Sequence, residues 1–348
     1  MENAPTGDVW TRIDGKVGRI TLNRPKALNA LTYGMGEAIS AALDAWVDDD
    51  RVAMVLIDGA GERAFCAGAD IAAFYRQGQA GDFVSSRRFF GDEYRRNVSI
   101  RRYPKPYVAL MDGIVMGGGV GLSSHGSHRI VTERTLLAMP ECAIGLVPDI
   151  GASLLFSQAP GRIGAYLGLT GARIGPADAI YAGFADVMVP SARLPDLTAA
   201  LVAEGDPERI GDFVTAEEEP VLAGRRNAID AAFAGYDAVA IVKRLEASGT
   251  DFARDTAEAV RRGSPLSVAA TIAILEDVSV DPSLEAAVCA EYRFTARALS
   301  DGEFMEGIRA AVIDKDRTPR WSPRRLEDIP TDRVAAMLAD SPEVRLPL

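Results

Sequence analysis

Histidine and cysteine are scarce in this chain, with 2 and 3 copies among 348 residues. With His125 and His128 the only imidazoles, a metal site built from His and Cys has too few ligands. A Ser-His-Asp triad drawn from distant parts of the fold has little to work with. Cys66, Cys142 and Cys289 form an odd, sparse set, which excludes a disulfide framework and suits a reducing compartment. Basic residues are not in excess either. The 38 Lys and Arg against 49 Asp and Glu leave a net charge of −11. That excludes a general nucleic-acid surface, but a local Arg/Lys cluster could still face an anionic small ligand. No run of about 18 apolar residues occurs, so no membrane span is expected. The opening MENAPTGDVWTRIDGK has neither an apolar core segment nor an Arg/Ser-rich bias, and a cytoplasmic protein is expected. Low-complexity tracts and short repeats are absent as well.

What is present is ordinary for a globular protein, with 48% hydrophobic and 25% charged residues. The length allows one large domain with an accessory region, or two domains. The 33 glycines point to tight turns and close backbone approaches. Up to about residue 190, short apolar runs alternate with helical ones. VGRITLN (17–23), VAMVLIDG (52–59), PYVALMDG (106–113), HRIVTER (128–134) and TLLAMP (135–140) read as strands, two of them ending in Asp-Gly turns. LTYGMGEAISAALDAWV (31–47) reads as an amphipathic helix with Thr32 as its cap. Beyond about residue 195 the segments read as helices punctuated by Pro and Gly. The expected division is a core over 1–195 followed by a helical region over 196–348.

Two stretches carry a chemical suggestion. AFCAGADI (64–71) and DGIVMGGGVGL (112–122) each join a strand-like run to small residues and then a helix. Backbone N–H groups at such a junction are not yet used by the helix, and two of them converging on a carbonyl oxygen would stabilise an oxyanion. Tight helix packing explains the same glycines equally well. A third stretch, MPECAIGLVPD (139–149), sets Glu141 and Asp149 in an apolar run, where charge is penalised.

TLNRPKALNAL (21–31), FCAGADI (65–71), MGGGVGL (116–122) and MPECAIGLVPD (139–149), in that order, resemble the enoyl-CoA hydratase/isomerase (crotonase) superfamily. The resemblance implies an α/β fold, a crotonase-like spiral of ββα units with a C-terminal helical region. It implies an acyl-CoA thioester as small-molecule partner and an oxyanion hole made by the amides of Ala69 and Gly118. It places Arg24, Lys26 and Leu28 in the CoA-contacting loop, Ala67 near the CoA path and Gly117 among the substrate-binding residues. No cofactor is expected beyond the coenzyme A of the substrate. No metal, nucleic acid or membrane is expected, and whether the chain forms a homo-oligomer stays open.

Glu141 matches the family's catalytic carboxylate. The second glutamate of a hydratase would fall at Gly121, whereas Asp149 resembles the 3-hydroxyisobutyryl-CoA hydrolase branch. FFGDEY (89–94) with Glu93, GLSSHG (121–126) and EYRFTARAL…FMEGIRAAVIDKDRTPRWSP (291–323) are similar to that branch too. The resemblance implies thioester hydrolysis, with Glu141 attacking the carbonyl or deprotonating a water, Asp149 orienting, and Glu93 accepting a hydrogen bond from a 3-hydroxyl. The tail around Glu306, Gly307, Arg309, Asp314, Lys315, Asp316 and Trp321 is expected to pack across the core. Asp70 is expected to cap a helix, Cys142 to pack, and His125 and His128 to hydrogen-bond locally. Two alternatives stand beside hydrolysis. One is an enoyl-CoA isomerase served by Glu141 alone, or a hydratase-like enzyme. The other is a noncatalytic acyl-CoA-binding protein.

Overall fold

The computed structural model of the chain describes residues 7–216 and 218–348, so the first six residues of the opening segment lie outside the described residues. Two compact units interleave along the chain. The first draws on residues up to Ala69, Arg95–Leu137 and Ile174–Val221; the second on Asp70–Tyr94, Ala138–Arg173 and Leu222–Leu348.

Among the described residues the first unit is built on nine short strands: β1 (Val9–Asp14), β2 (Val17–Leu22), β3 (Met54–Gly59), β4 (Ala64–Cys66), β5 (Tyr107–Met111), β6 (Ile114–Met116), β7 (His128–Val131), β8 (Leu136–Ala138) and β9 (Val187–Met188). They form a six-stranded sheet in the order β1-β2-β3-β5-β7-β9 and a three-stranded sheet in the order β4-β6-β8. Only β1 and β2 pair antiparallel in the larger sheet. The parallel strands read as continuous apolar runs because both faces are covered, and all five residues of β5 are buried. Val17, Met54, Leu56, Val108, Leu110 and Ile130 form a core that Leu197 and Leu201 of the helix Leu194–Glu204 complete. The expected helix over 31–47 spans Tyr33–Trp46, and the Thr32 hydroxyl accepts from the Met35 amide at 3.3 Å. Every strand expected between residues 17 and 140 is present, whereas β1, whose VWTRID is half-polar, carries no clear apolar period.

The second unit is helical. Its centre is Pro265–Val280, a helix with ten buried residues and no single apolar face, as a helix enclosed on all sides should have. It packs against Ala152–Gln158, Ile163–Thr170, Leu284–Thr295 and Thr331–Leu338. Phe74, Phe89, Phe90 and Phe304 stack into a second apolar cluster. Among the described residues no strand lies beyond residue 195, and no single helix is long and apolar enough to cross a membrane.

Candidate active site

In the first unit, a loop, a strand end and a glycine turn come together. Residues 24–31 fold back on themselves, with Leu28 and Asn29 in the left-handed region at φ 52° and 55°. Asn29 is the fastener: its side-chain oxygen accepts from the Arg24 amide, and its amide group donates to Ala60 O and Ala64 O. The loop is clipped to the following segment by Ala67 N–H to Leu28 O at 3.0 Å and Leu31 N–H to Gly68 O at 2.8 Å. Gly68 has φ 96°, and a Cβ there would lie 3.2 Å from Met116 O and 3.7 Å from Gly118 N. The segment ending in Ala69 therefore runs against the glycine turn. Gly117 has φ 49°, ψ −124°, and Gly118 opens the helix Gly118–Ser123. Its amide has no intrahelical acceptor. Gly119 allows that helix to sit on β4, since a Cβ would come within 2.5 Å of Cys66 O.

Arg24 directs its guanidinium to Ala30 O at 2.6 Å, with Asp8 3.6 Å away, while Lys26 is exposed. His128 Nδ1 shares a hydrogen bond with Ser127 Oγ, and His125 is buried. Ser123 Oγ donates to Gly119 O inside its own helix, which leaves it no nucleophilic use.

In the second unit, five carboxylates are buried among the described residues: Glu93, Glu141, Asp149, Glu291 and Glu303 are 3%, 6%, 5%, 0% and 7% exposed. Glu141 opens the tight turn Glu141–Ile144, which Gly145 closes at φ 76°. The turn is held from behind. Ser264 N–H donates to Cys142 O, and a Cβ on Gly307 would fall 1.9 Å from Ile144 O. Glu303 ties these neighbours together, accepting from Ser264 Oγ at 2.5 Å and from Ser322 N–H at 2.6 Å. Glu141 Oε2 is buried with no hydrogen-bond partner among the described residues. Burial above all, with Glu291 and Glu93 adding like charge, pushes Glu141 up to about 8. Asp149 is likewise raised by burial and by Glu93 and Glu141, although the Tyr94 hydroxyl donates to its Oδ2 at 2.7 Å. Tyr94 is in turn 3.1 Å from Thr295 Oγ1. A carboxylate set as Glu141 is exchanges its proton near neutral pH, as acid–base work requires.

The expected acids are thus brought together within one unit: Glu93, Glu141 and Asp149 act on one another electrostatically. Tyr94, Glu291 and Thr295 were not foreseen. The signal for Glu291 and Thr295 is periodic: Leu284, Ala287, Val288, Glu291, Tyr292 and Thr295 lie at 3/4 spacing on the buried stripe of one helix, an unusual place for an acid. Asp70 precedes the helix Ile71–Ala80, but its side chain makes no capping bond, contrary to expectation. Cys142 packs with Sγ 3.4 Å from Thr271 Oγ1, and burial pushes its thiol up to about 12. The tail segment packs as expected: Arg309 bridges Glu306, Asp314 and Asp316, and Trp321 Nε1 donates to Arg262 O.

A profile described as enoyl-CoA hydratase/isomerase matches residues 17–338. The mitochondrial 3-hydroxyisobutyryl-CoA hydrolase of Gallus gallus is 41% identical over 338 residues, covering 94% of this chain and 87% of that protein. A crystal structure of an enoyl-CoA hydratase from Rhodobacter sphaeroides 2.4.1 superposes with TM-score 0.93 at 49% identity, covering 98% of this chain and 100% of that one. A carnitinyl-CoA dehydratase structure from Mycobacterium thermoresistibile also reaches 0.93, at 41% identity, covering 98% and 99%. These similarities bear out the crotonase-type α/β fold. The cytoplasmic expectation is corrected, because the hydrolase relative is mitochondrial by name. Scarce cysteine marks a reducing milieu without saying which compartment provides it.

Proposed function

The chain belongs to the enoyl-CoA hydratase/isomerase family, and from that premise we infer that it hydrolyses the thioester of 3-hydroxyisobutyryl-CoA to 3-hydroxyisobutyrate and free coenzyme A. The observation that carries this reading is the second buried acid. Asp149, oriented by Tyr94, is electrostatically coupled to Glu141, while residue 121 is a glycine inside a buried helix and offers no carboxylate. Identity of 41% over most of the chain to a hydrolase of that specificity supports the substrate.

In the proposed mechanism the amides of Ala69 and Gly118 polarise the thioester carbonyl and stabilise the oxyanion. The glycine turn supports this role, because Gly117 and Gly68 let main chain approach main chain closely. Glu141 in its ionised form delivers the attack, directly or through a water it deprotonates, and the carbon–sulfur bond breaks as the tetrahedral intermediate collapses. On the direct route water then cleaves the mixed anhydride and frees Glu141, and on either route the proton given up by water goes to the leaving sulfur. Asp149 orients the attacking group and relays a proton. Glu93 accepts a hydrogen bond from the 3-hydroxyl, which favours hydroxyacyl over plain acyl chains. Arg24, Lys26 and Leu28 line the coenzyme path, with Lys26 free to meet phosphate and Arg24 committed to Ala30 O in this structure. Ala67 and Gly117 complete the substrate contacts.

The Rhodobacter sphaeroides relative, described as an enoyl-CoA hydratase, makes hydration the competing reading. A single pair of assays separates them: thiol release from 3-hydroxyisobutyryl-CoA against loss of enoyl absorbance from a short 2-enoyl-CoA. Thiol release that disappears in Glu141→Gln is the expected result; rapid hydration without thiol release would overturn the reading. Single turnover in oxygen-labelled water then distinguishes the two forms of attack, since a mixed anhydride leaves label on Glu141.

A further inference from the structure

The geometry points to Glu291 as a positioning residue for this hydrolysis: its carboxylate clamps the turn that presents Asp149. The inference rests on the reading of Glu141 and Asp149 as the reacting pair. Asp149 is followed by Ile150 at φ 57° and Gly151 at φ 82°. A left-handed β-branched residue is an outlier that persists only where its surroundings hold it. Glu291 supplies the hold. Its Oε2 accepts from Gly151 N–H at 2.7 Å, and its Oε1 accepts from Ser153 N–H at 2.9 Å and Ser153 Oγ at 2.5 Å. One turn further along the same helix, Thr295 stands 3.1 Å from the Tyr94 hydroxyl that donates to Asp149. Tyr292 meets the Tyr94 ring edge-on at 6.0 Å. The helix Leu284–Thr295 thus fixes Asp149 through its main chain and through its side chain.

Stability alone does not call for this arrangement. A fourth buried acid beside Glu93, Glu141 and Asp149 is costly, and a neutral cap would satisfy a helix start at less expense. The charge has an effect that a neutral cap lacks, because it raises the proton affinity of both Glu141 and Asp149. Glu291 itself is pushed up to about 7 by burial, against the pull of its three donors. The titratable groups facing this cluster are Glu93 and Tyr94 from the helix Phe83–Arg101, Glu141 and Asp149. The helix Ala152–Gln158 carries no charged residue. On the other two helices packed against Leu284–Thr295, Glu276, Asp277 and Asp332 are exposed, and Arg333 donates to Ser322 O.

Three variants test it: Glu291→Gln, Glu291→Asp and Ser153→Ala, assayed for kcat, KM and the pH profile of 3-hydroxyisobutyryl-CoA hydrolysis. Gln turns an amide group toward at least one of the three donors and removes the charge. We expect kcat to fall about tenfold to a hundredfold, KM to stay within about twofold, and the acid limb of kcat/KM to move to lower pH. Asp keeps the charge but retracts by one methylene, so kcat falls while the limb stays. Ser153→Ala removes one bond, so kcat falls by roughly threefold with the limb unmoved. A folded Glu291→Gln protein with parental kcat and an unmoved limb would overturn the inference. So would parental kcat in Ser153→Ala, which decides the matter if Glu291→Gln does not fold. A parent protein that releases no thiol sinks the proposed reaction and this inference with it. A parent that hydrolyses normally beside a parental Glu291→Gln sinks the inference alone.

Discussion

Glu141 begins a turn in which one of its oxygens is buried with no hydrogen-bond partner among the described residues, and two consequences follow from its displaced titration. The first concerns rate. If the ionised form attacks, kcat/KM rises with pH until about 8, the value to which burial and its acidic neighbours push it. A pH–rate profile of thiol release measures this directly, and Glu141→Gln should abolish the release. The second concerns stability. The folded protein keeps a proton that the unfolded chain releases near the ordinary value of 4.5. The associated stability is complete below that value and is lost as pH rises toward about 8. Glu141→Gln should therefore melt at a higher temperature than the parent above about pH 8, and the advantage should vanish in mild acid. Asp149→Asn should cost about a hundredfold in kcat, in the range of a lost acid–base group. Tyr94→Phe, which removes only the hydroxyl, should cost about tenfold. Glu141 and Asp149 were legible because an acid beside a proline in an apolar run violates ordinary burial. Tyr94 was not, because its meaning comes from a partner 55 positions away.

Elements position the acids by backing their turns. Gly307 lies behind the turn Glu141–Ile144 so closely that a methyl group would collide with main chain, not with a side chain able to rotate. Gly307→Ala should lower stability by about 1–3 kcal/mol through overpacking. It should also depress kcat more than it raises KM, which denaturant melts and steady-state kinetics on one preparation would establish. The expected helix over 31–47 was recovered nearly to its ends, since its cap Thr32 stands at the predicted start and accepts a backbone amide. The buried parallel strands were recovered because their apolar runs are uninterrupted. The two-residue β9 and the half-polar β1 were not, since strands so short or so mixed are defined by their neighbours in the sheet. The use of Gly307 also escaped notice: nothing local distinguishes a glycine that meets chain 163 positions earlier from one that merely ends a helix.

At the scale of the molecule, compactness does not follow chain order. Among the described residues a boundary at residue 195 divides strand-bearing from strand-free chain, yet the unit that contains Glu93, Glu141 and Asp149 is completed by Leu222–Leu348. A chain cut after residue 195 retains these three acids and loses Pro265–Val280, Glu291 and Gly307. It should lack fixed tertiary packing by near-ultraviolet circular dichroism and release no thiol from 3-hydroxyisobutyryl-CoA.

The brace behind the Glu141 turn is assembled from Ser264, Glu303, Gly307 and Ser322, all in the final third of the polypeptide. A ribosome making this protein therefore emits the reacting acids long before anything can restrain them. For most of translation they remain hydrated, ordinary carboxylates. The nascent chain becomes an enzyme only after its last hundred or so residues have left the exit tunnel and docked.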